Sequence, residues 1–412
     1  MRILFLSHYF HPEGNAPATR VTEMTRRWVA QGHEVTVITG VPNVPDGVVY
    51  AGYRNRWLQR ETHDGVEVVR VWTYLASNQG TARRILNYVS FMLAGALAGL
   101  RVPRPELVIA TSPQFFCGWA GVIVTALRRL PFVLEIRDLW PESIEAVGAL
   151  RNRRLLRFLE WLERRMYAAA SHLVTVGEGY RGKLIERGVD PADIDVIPNG
   201  VDLELFLAGG DGRAVRERYG LGDRFVVAYL GTIGMGCGLE VVLRAAHRLR
   251  ERGRDDVCFL LVGDGAVREE LEARATADGL TAVIFTGRQP KSDMPAFLAA
   301  TDACLVHLTR TELFKTVLPS KIFEAAAMRK PIVLGVEGFA ADLVSEAGAG
   351  ICIQPENEDE LLEAVEKLAA DPTLARRLGA AGYERIASRY TYERLAREYS
   401  ALLGRLYGEG RQ

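Results

Sequence analysis

Lysine is rare in this sequence, and neither sign of charge is in excess. Only six of the 51 basic residues are lysines, and 51 acidic residues balance the basic ones. Because no net field draws the chain towards a polyanion, we expect no nucleic-acid partner, and local positive groups have to hold any anionic ligand. Motifs for metal or redox sites are also absent, since the cysteines form no CxxC pair and the histidines lack ligand spacing. We therefore expect no cofactor, no metal, and reduced core cysteines at Cys117, Cys237, Cys258, Cys304 and Cys352.

Long hydrophobic runs are missing as well. The most apolar window, Ile85–Leu100, is shorter than the roughly 20 residues needed to span a bilayer, and it contains Asn87 and Ser90. The apolar segment Ile3–Leu6 near the start is too short for the core of a signal peptide. We therefore expect a cytoplasmic protein.

The chain does contain a regular alternation of short β-branched runs with amphipathic segments of helix length. This alternation is typical of parallel strands joined by crossover helices. It pauses at Ile197-Pro-Asn-Gly-Val-Asp202 and a glycine-rich stretch, and it resumes at Phe225–Leu230. Since 412 residues exceed what one core usually organises, we expect an α/β protein of two Rossmann-like domains, residues 1–200 and 201–390.

Twelve strands and a terminal helix are predicted from these patterns. The predicted strands are Ile3–Leu6, Val35–Ile38, Val66–Val71, Leu107–Ala110, Phe132–Ile136, Leu173–Val176, Phe225–Leu230, Cys258–Val262, Val283–Phe285, Ala303–Val306, Ile332–Leu334 and Gly350–Ile353. In the last segment, residues 391–412, apolar side chains at Leu395, Tyr399, Leu402 and Leu406 recur at helical spacing. In a two-lobed protein such a helix often returns to the first lobe, although the sequence alone does not require this.

The segment Leu318-Pro-Ser-Lys-Ile-Phe-Glu324 has the pattern of an anion site at the start of a helix. Proline suits a first helical turn, so the helix is predicted to begin at Pro319 or Ser320. Backbone N–H groups and the Lys321 ammonium then lie at the positive end of the helix dipole, with Glu324 one turn further on the same face. That pattern suits a diphosphate and its ribose. The alternative is a structural ion pair between Lys321 and Glu324, but the rarity of lysine favours the functional interpretation.

Two further loops follow a strand and precede a helix, which is where open parallel sheets bind ligands. Gly231–Gly238 is rich in glycine, and Gly234 and Gly236 would let a phosphate approach the backbone. Its spacing is not GxGxxG, which disfavours a nicotinamide enzyme, and a structural turn is the alternative. In the loop after the first strand, Gly14 also permits close approach to a helix start, whereas a plain turn with a solvated Arg20 is the alternative.

Several motifs together resemble the retaining glycosyltransferases of family four, and the resemblance covers nearly the whole chain. The motifs that carry it are Arg2-Ile-Leu-Phe5, Pro12-Glu-Gly-Asn-Ala-Pro17, Ile197-Pro-Asn-Gly-Val-Asp202, Leu261-Val-Gly-Asp-Gly265, Gly287-Arg288 and Lys321–Glu324. Two further segments look like bacterial surface-polysaccharide transferases related to the L-fucosamine transferase group. These segments are Phe132-Val-Leu-Glu-Ile-Arg-Asp-Leu-Trp-Pro-Glu-Ser143 and Val317-Leu-Pro-Ser-Lys321.

The resemblance implies the GT-B fold, in which two Rossmann-like domains face each other across a cleft. It also implies retaining transfer of a sugar to a saccharide or polyprenyl-diphosphate-linked acceptor in surface-polysaccharide synthesis. In this subgroup the donor is typically a UDP-sugar, often N-acetylated, so the nucleotide sugar is a substrate and no metal is expected. Two alternatives stay open, namely a UDP-sugar epimerase of the same architecture and a nucleotide-sugar-binding module without turnover.

On the donor side the resemblance assigns roles position by position. Glu324 matches the glutamate that holds the donor ribose hydroxyls. The other glutamate of the family's EX7E motif is replaced by Thr316, and Met235 and Cys237 stand near where a phosphate-binding arginine and lysine are usual. Lys321 is therefore expected to carry part of that charge as a catalytic group. The predicted donor contacts are Leu318, Ser320, Lys321, Glu324, Gly234, Gly236, Arg288, Gly14 and Asn15.

In the first domain, many family members have a histidine after the strand that is Phe132–Ile136 here, whereas this chain has Arg137-Asp138. An arginine there would stabilise the departing phosphate or grip the sugar, so Arg137 and Asp138 are predicted to be catalytic. The alternative is a buried pair between the two that orders the loop. The predicted acceptor contacts are His8, Arg20 and Glu142, although Glu142 also suits a helix start as a structural acid.

Two segments suggest peripheral contact with the inner membrane, at its cytoplasmic face. Ile85–Leu100 is flanked on both sides by arginines, and Arg151–Tyr167 mixes six arginines with leucine, methionine and tryptophan. Core helices with arginine-rich outer faces are the alternative for both segments.

Overall fold

The computed structural model describes residues 1–44, 46–76, 81–112, 115–140, 142 and 152–409. The chain forms two compact units. Unit 1 comprises Met1–Asn199 with Tyr392–Gln412, and unit 2 comprises Gly200–Thr391. Each unit is built on a largely parallel sheet, so the prediction of two Rossmann-like domains is confirmed.

The sheet of unit 1 has eight described strands in the order β3-β4-β2-β1-β5-β6-β7-β8. The strands are β1 (Arg2–Leu6), β2 (Glu34–Thr39), β3 (Leu58–His63), β4 (Val66–Val71), β5 (Leu107–Thr111), β6 (Phe132–Ile136), β7 (His172–Thr175) and β8 (Ile194–Val196). All neighbours are parallel except β3 and β4, which form an antiparallel hairpin at one edge. The central strands β5 and β6 are buried on both faces, which explains their continuous apolar sequence.

Helices cover the sheet of unit 1. They are α1 (Ala16–Ala30), α2 (Thr81–Arg101), α3 (Phe115–Arg128), α4 (Arg153–Ala169), α5 (Glu178–Glu186) and the C-terminal helix α15 (Tyr392–Glu409). The last of these packs on α1, where the Trp28 indole donates a hydrogen bond to the Ala396 carbonyl and lies edge-on to the Tyr399 ring. Leu395, Tyr399 and Leu402 are buried in this contact. The C-terminal helix therefore returns to the first domain.

Unit 2 repeats this design with a six-stranded parallel sheet in the order β11-β10-β9-β12-β13-β14. Its strands are β9 (Phe225–Leu230), β10 (Val257–Val262), β11 (Val283–Gly287), β12 (Ala303–His307), β13 (Ile332–Gly335) and β14 (Gly350–Cys352). Its helices are α6 (Leu203–Leu207), α7 (Gly212–Arg218), α8 (Glu240–Glu251), α9 (Arg268–Ala277), α10 (Met294–Ala299), α11 (Lys321–Ala327), α12 (Phe339–Ala347), α13 (Glu358–Ala370) and α14 (Pro372–Gly382).

The strand order places one ligand-binding position in each unit. In unit 2 the chain leaves β9 towards β10 and β11 on one side and later adds β12 to β14 on the other. In unit 1 the same reversal falls between β1 and β5. In open parallel sheets the loops diverge at such a reversal, and ligands bind beyond the carboxyl ends of the two central strands. The glycine-rich segment Gly231–Gly238 follows β9, Lys321 and Glu324 follow β12, and Gly14 and Asn15 follow β1.

The cysteine prediction needs correction. Cys117, Cys258 and Cys304 are buried core residues, but Cys237 is only partly buried and Cys352 is exposed. All five are free thiols. Cys352 ends the short strand β14, and its thiol lies 3.2 Å from the Ser345 hydroxyl.

Candidate functional site

Lys321 is the first residue of α11 in unit 2, and its side chain reaches the carboxyl end of β9. The ammonium lies 4.9 Å from the centroid of the Tyr229 ring. A Cβ atom at Gly231 would come within 2.9 Å of the Lys321 Nζ, so glycine leaves the space that the ammonium occupies. Among the described carboxylates none pairs with Lys321, and the alternative ion pair with Glu324 is not formed.

The glycine loop, residues 231–238, lies beside this ammonium and is held by its neighbours. Gly231 adopts a φ of +130°, which favours glycine. The Thr309 amide donates to the Gly236 carbonyl over 3.0 Å, and the Phe314 ring lies so close to Gly236 that a Cβ there would be 2.9 Å from it. The amides of Gly234, Met235 and Gly236 donate to no backbone carbonyl of the described residues. They are available to an anion.

The loop after β10 explains a second group of glycines. A Cβ at Gly263 would lie 1.9 Å from the Gly231 carbonyl oxygen, and a Cβ at Gly265 would lie 2.4 Å from that of Ile233. The two loops therefore pack backbone against backbone. This packing is the physical reason for the Leu261-Val-Gly-Asp-Gly265 motif, and it stiffens the surface beside Lys321.

The start of α11 differs slightly from the prediction. The first helical residue is Lys321, and Ser320 is the N-cap without a side-chain capping bond. The amides of Ile322 and Phe323 already donate to carbonyls of the preceding turn. Only the amides of Ser320 and Lys321 remain without such an acceptor among the described residues, so the helix end offers two donors to an anion.

Glu324 lies in the first turn of α11, partly buried, and forms no ion pair with any described residue. Leu318 packs its side chain against the core of unit 2. Thr316 is buried, and its hydroxyl donates to the Leu313 carbonyl, so this position stabilises a turn and offers no carboxylate. Arg288 is exposed just after β11.

In unit 1, Arg137 follows β6 and lies near the reversal between β1 and β5. Its amide donates to the Ser112 hydroxyl, and its Nη2 donates to the Ala16 carbonyl at 3.2 Å and the Asn199 side-chain oxygen at 3.4 Å. Its Nε and one Nη atom are buried without a hydrogen-bond partner among the described residues. Burial lowers the pKa of Arg137 to about 10, so the group stays charged at neutral pH.

The alternative of a buried pair between Arg137 and Asp138 is not observed, because no ion pair joins these two described residues. Asp138 instead lies near Tyr180, whose pKa is raised by burial and, secondarily, by this carboxylate. Guanidinium donors that are buried without an acceptor cost free energy. Arg137 therefore has the properties expected of a group that meets an anionic or hydroxyl-bearing ligand.

Two predicted acceptor contacts are corrected by their burial. Arg20 is completely buried. Its Nε pairs with Glu135 at 3.1 Å, and its Nη atoms donate to the carbonyls of Ile197 and Pro198. It anchors the end of β6 to the chain before unit 2, and it has no surface for an acceptor. His8 is buried among aromatic rings, and this burial lowers its pKa to about 3. The imidazole is therefore neutral and belongs to the core.

Among the remaining unit 1 predictions, Asn15 and Glu142 have structural contacts, and Gly14 has none among the described residues. The side-chain oxygen of Asn15 accepts from the Ala18 amide and caps α1. Gly14 is exposed, and a Cβ there would meet nothing within 4 Å, so the fold itself does not require glycine at this position. The Glu142 carboxylate pairs with Arg187, which also holds Glu163 at 2.7 Å.

No sequence pattern singles out Tyr229 or His307. Both lie at buried strand ends, where an aromatic or imidazole side chain looks like ordinary core. Their contacts to Lys321 and to the glycine loop join residues far apart in the sequence. Among the described residues, no three His, Cys, Asp or Glu side chains converge as metal ligands would.

Comparison with known proteins identifies the family of this chain. Residues 15–200 match the model of the Glycosyl transferase 4-like domain, and residues 213–385 match that of Glycosyl transferases group 1. The chain is 27% identical over 390 residues to the putative colanic acid biosynthesis glycosyl transferase WcaI of Escherichia coli, covering 91% of this chain and 95% of WcaI.

Solved structures share the fold over almost the entire chain. Sucrose-phosphate synthase from Thermosynechococcus elongatus superposes with a TM-score of 0.75 at 19% identity, covering 99% of both chains. Anabaena HepE in complex with UDP-glucose superposes with a TM-score of 0.71 at 18% identity, covering 98% of this chain and 99% of HepE. With its glycosyl transferase 4-like domain followed by a group 1 domain in the GT-B fold, this chain belongs to the glycosyltransferases.

Proposed function

We propose that this protein transfers a sugar from a UDP-sugar donor to a saccharide or polyprenyl-diphosphate-linked acceptor, with retention of configuration and without a metal. The sugar is N-acetylated in this proposal, and the product belongs to a bacterial surface polysaccharide. The sequence resemblance supports this acceptor class, and the name of WcaI, a putative glycosyl transferase of colanic acid biosynthesis, supports a role in polysaccharide synthesis. HepE, which binds UDP-glucose in the same fold, supports the donor class.

The observation that carries the proposal is the position of Lys321 beside the glycine loop. Breaking the bond between sugar and diphosphate leaves negative charge on the departing phosphate, and that charge has to be stabilised. The Lys321 ammonium has no described acidic partner. The free amides of Gly234, Met235 and Gly236 lie in the adjacent loop, and those of Ser320 and Lys321 begin the helix. These groups supply fixed positive charge and dipoles without a metal.

Glu324 is assigned to the ribose in this proposal. A carboxylate without an ion-pair partner can accept hydrogen bonds from both ribose hydroxyls. Such bonds are charge-assisted and stronger than hydrogen bonds between neutral groups. Leu318 and Arg288 complete the proposed donor side. In the proposed site, Lys321 and the glycine loop bind the diphosphate of the donor, and Glu324 binds its nucleoside.

Arg137 of unit 1 stays a proposed catalytic group. Its Nε and Nη1, which have no partner among the described residues, can donate to a phosphate oxygen or to the sugar hydroxyls during transfer. Asp138 stays a proposed catalytic neighbour, and Glu142 stays a proposed acceptor contact through its exposed part. We do not retain Arg20, His8 or Asn15 in the site, because burial or capping occupies them.

We also propose that unit 1 touches a membrane surface. None of the described helices combines the length and apolar character that crossing a bilayer requires. The outer face of α2 is nevertheless apolar, with Leu86, Leu93 and Leu97 exposed. On α4 the rings of Phe158 and Trp161 stack on the exposed side between arginines. Apolar residues flanked by arginines suit an anionic lipid surface.

The donor assignment is tested by a thermal-shift panel of UDP-, GDP-, ADP- and dTDP-sugars, followed by turnover with the sugar that stabilises most. Acceptor-dependent release of the nucleotide supports a transferase. Conversion of the sugar without acceptor indicates an epimerase, and stabilisation without any turnover indicates a binding module. Stabilisation by none of the nucleotide sugars would contradict the proposed donor site.

A further inference from the structure

His307 is the last residue of β12, and its buried imidazole joins two loops at the carboxyl edge of the sheet of unit 2. Its Nδ1 lies 2.7 Å from the Cys237 carbonyl of the glycine loop. The Glu356 amide, in the segment after β14, donates to Nε2 over 2.8 Å. The side chain is 1% exposed, so it is not a ligand contact itself.

These two partners determine the protonation state of the ring. A carbonyl can only accept, so Nδ1 has to carry the proton, and an amide can only donate, so Nε2 has to keep its lone pair. The neutral Nδ1–H tautomer satisfies both bonds, whereas the protonated ring would direct an Nε2–H at the Glu356 amide. Burial lowers the pKa of His307, which favours the same neutral form.

Glycines enclose the ring on two sides. A Cβ at Gly335, the end of β13, would lie 2.3 Å from Cδ2 of the imidazole. A Cβ at Gly238 would lie 3.0 Å from Cε1, and Gly238 has a φ of +59°. The ring therefore fills a space that Gly335 and Gly238 leave open because neither has a Cβ atom.

The bond from His307 acts on the part of the loop that offers free amides. Cys237 ends the turn Met235–Cys237, and the Thr309 amide holds the neighbouring Gly236 carbonyl at 3.0 Å. Both carbonyls are thus drawn towards the end of β12. Because a peptide unit is planar, the held carbonyls of Gly236 and Cys237 fix the directions of the amides that follow them, those of Cys237 and Gly238. The Cys237 amide in turn donates to the Gly234 carbonyl over 3.0 Å, which fixes the direction of the Met235 amide in that peptide unit.

We infer that His307 is a positioning residue that aims the amides of the glycine loop at the donor diphosphate. The inference rests on the proposed donor site. In this inference the hydrogen bond from His307 to the Cys237 carbonyl determines the affinity for the donor, and the bond from the Glu356 amide keeps the imidazole in place. A displacement of the glycine loop by about 1 Å is enough to lower the affinity for the donor roughly tenfold to a hundredfold.

The test compares two variants that each keep one of the two bonds. In His307→Asn the amide nitrogen can replace Nδ1 and still donate to Cys237, whereas in His307→Gln the longer side chain can offer its oxygen to Glu356 instead. His247→Asn is the matched control, because His247 is the other histidine of unit 2 and forms an exposed pair with Asp278. Affinity for UDP-glucose is measured by calorimetry and the melting temperature by calorimetric scanning.

We expect His307→Asn to bind UDP-glucose within about threefold of the wild type and His307→Gln to bind about tenfold more weakly or worse, although both melt earlier. Equal losses of affinity in the two variants, in step with their melting temperatures, would overturn the positioning role. Absence of binding to the wild type, for UDP-glucose and the other nucleotide sugars, would overturn the donor site and this inference with it.

A pH series separates positioning from general stability. Acid should weaken binding to the wild type as the ring is protonated at Nε2, and His307→Asn should lack this step while His247→Asn retains it. The charged groups around the ring, Glu240 and Arg244 of α8 and Glu356, are unchanged in all three proteins. An acid step that persists in His307→Asn would count against the inference.

Discussion

The Lys321 ammonium lies 4.9 Å from the centroid of the Tyr229 ring. The Tyr229 hydroxyl donates to the Thr232 carbonyl at 2.7 Å, so the ring is fixed beneath the cation. A cation over an aromatic face gains only about 0.5–2 kcal/mol. This contact orients the ammonium without neutralising it, and the charge remains available to a phosphate.

The ribose assignment predicts a specific defect for Glu324→Ala. Hydrogen bonds to a charged group contribute about 1.5–3 kcal/mol, so the affinity for UDP should fall roughly tenfold to a hundredfold. The variant should also lose the preference for UDP over 2′,3′-dideoxy-UDP that the wild type shows in calorimetric titrations. Glu363→Ala, on the exposed side of α13, is the control. An unchanged affinity and an unchanged preference would show that Glu324 does not hold the ribose.

Arg137→Met should lower activity without lowering stability. The Nε and one Nη of Arg137 are buried without described partners, so removal of the group relieves two unsatisfied donors at the loss of the two bonds from Nη2. We expect kcat to fall by about 100-fold or more, as for other groups that stabilise developing charge, with an equal or higher melting temperature. Initial rates and differential scanning calorimetry measure both. A large drop in melting temperature would mean that the group is structural.

Arg20→Met, in contrast to Arg137→Met, should lower the stability of the protein, and the two variants are therefore compared. Arg20 and Glu135 form a buried ion pair, and removal of one partner leaves an uncompensated charge. We expect a loss of roughly 3–5 kcal/mol in the free energy of unfolding. Urea denaturation measures this loss, and Arg26→Met on the outer side of α1 provides the reference. A loss below about 1 kcal/mol would contradict the buried pair.

Membrane contact predicts that acidic side chains on the outer face of α2 abolish binding to anionic liposomes. Leu93 is 60% exposed, and a carboxylate there or at Leu97 opposes both apolar insertion and the lipid charge. Leu93→Glu combined with Leu97→Glu should remain in the supernatant at low salt, whereas the wild type sediments with the vesicles. Leu207→Glu, an equally exposed leucine of unit 2, should sediment like the wild type. Cosedimentation of the α2 variant would argue against this surface.

The strands that are apolar and buried on both faces were predicted from the sequence, whereas β3 and β8 were missed. All twelve predicted strands overlap observed ones, because central parallel strands are continuous apolar runs. Strand β3 has the sequence Leu-Gln-Arg-Glu-Thr-His and pairs only at an edge, so no apolar run marks it. Strand β8 has only three residues.

Candidate site residues were predictable where a local sequence pattern marks them, and not where their contacts are with residues far away in the sequence. Lys321 and the glycine loop follow from a helix start and a strand end, and the fold brings them together. Arg20 looks like a surface arginine in the sequence, but Glu135 lies 115 residues away and draws it into the core. His307 is likewise defined by Cys237 and Glu356, neither of which is near it in sequence.

The most direct test of the donor site is the affinity of Lys321→Met for UDP and for uridine, measured by calorimetry beside Lys367→Met, an exposed lysine of α13. If Lys321 holds the diphosphate, Lys321→Met should bind UDP about tenfold to a hundredfold more weakly and uridine as the wild type does, because only the phosphate contact is lost. Lys367→Met should match the wild type for both ligands. Equal affinity of Lys321→Met and the wild type for UDP would contradict the account.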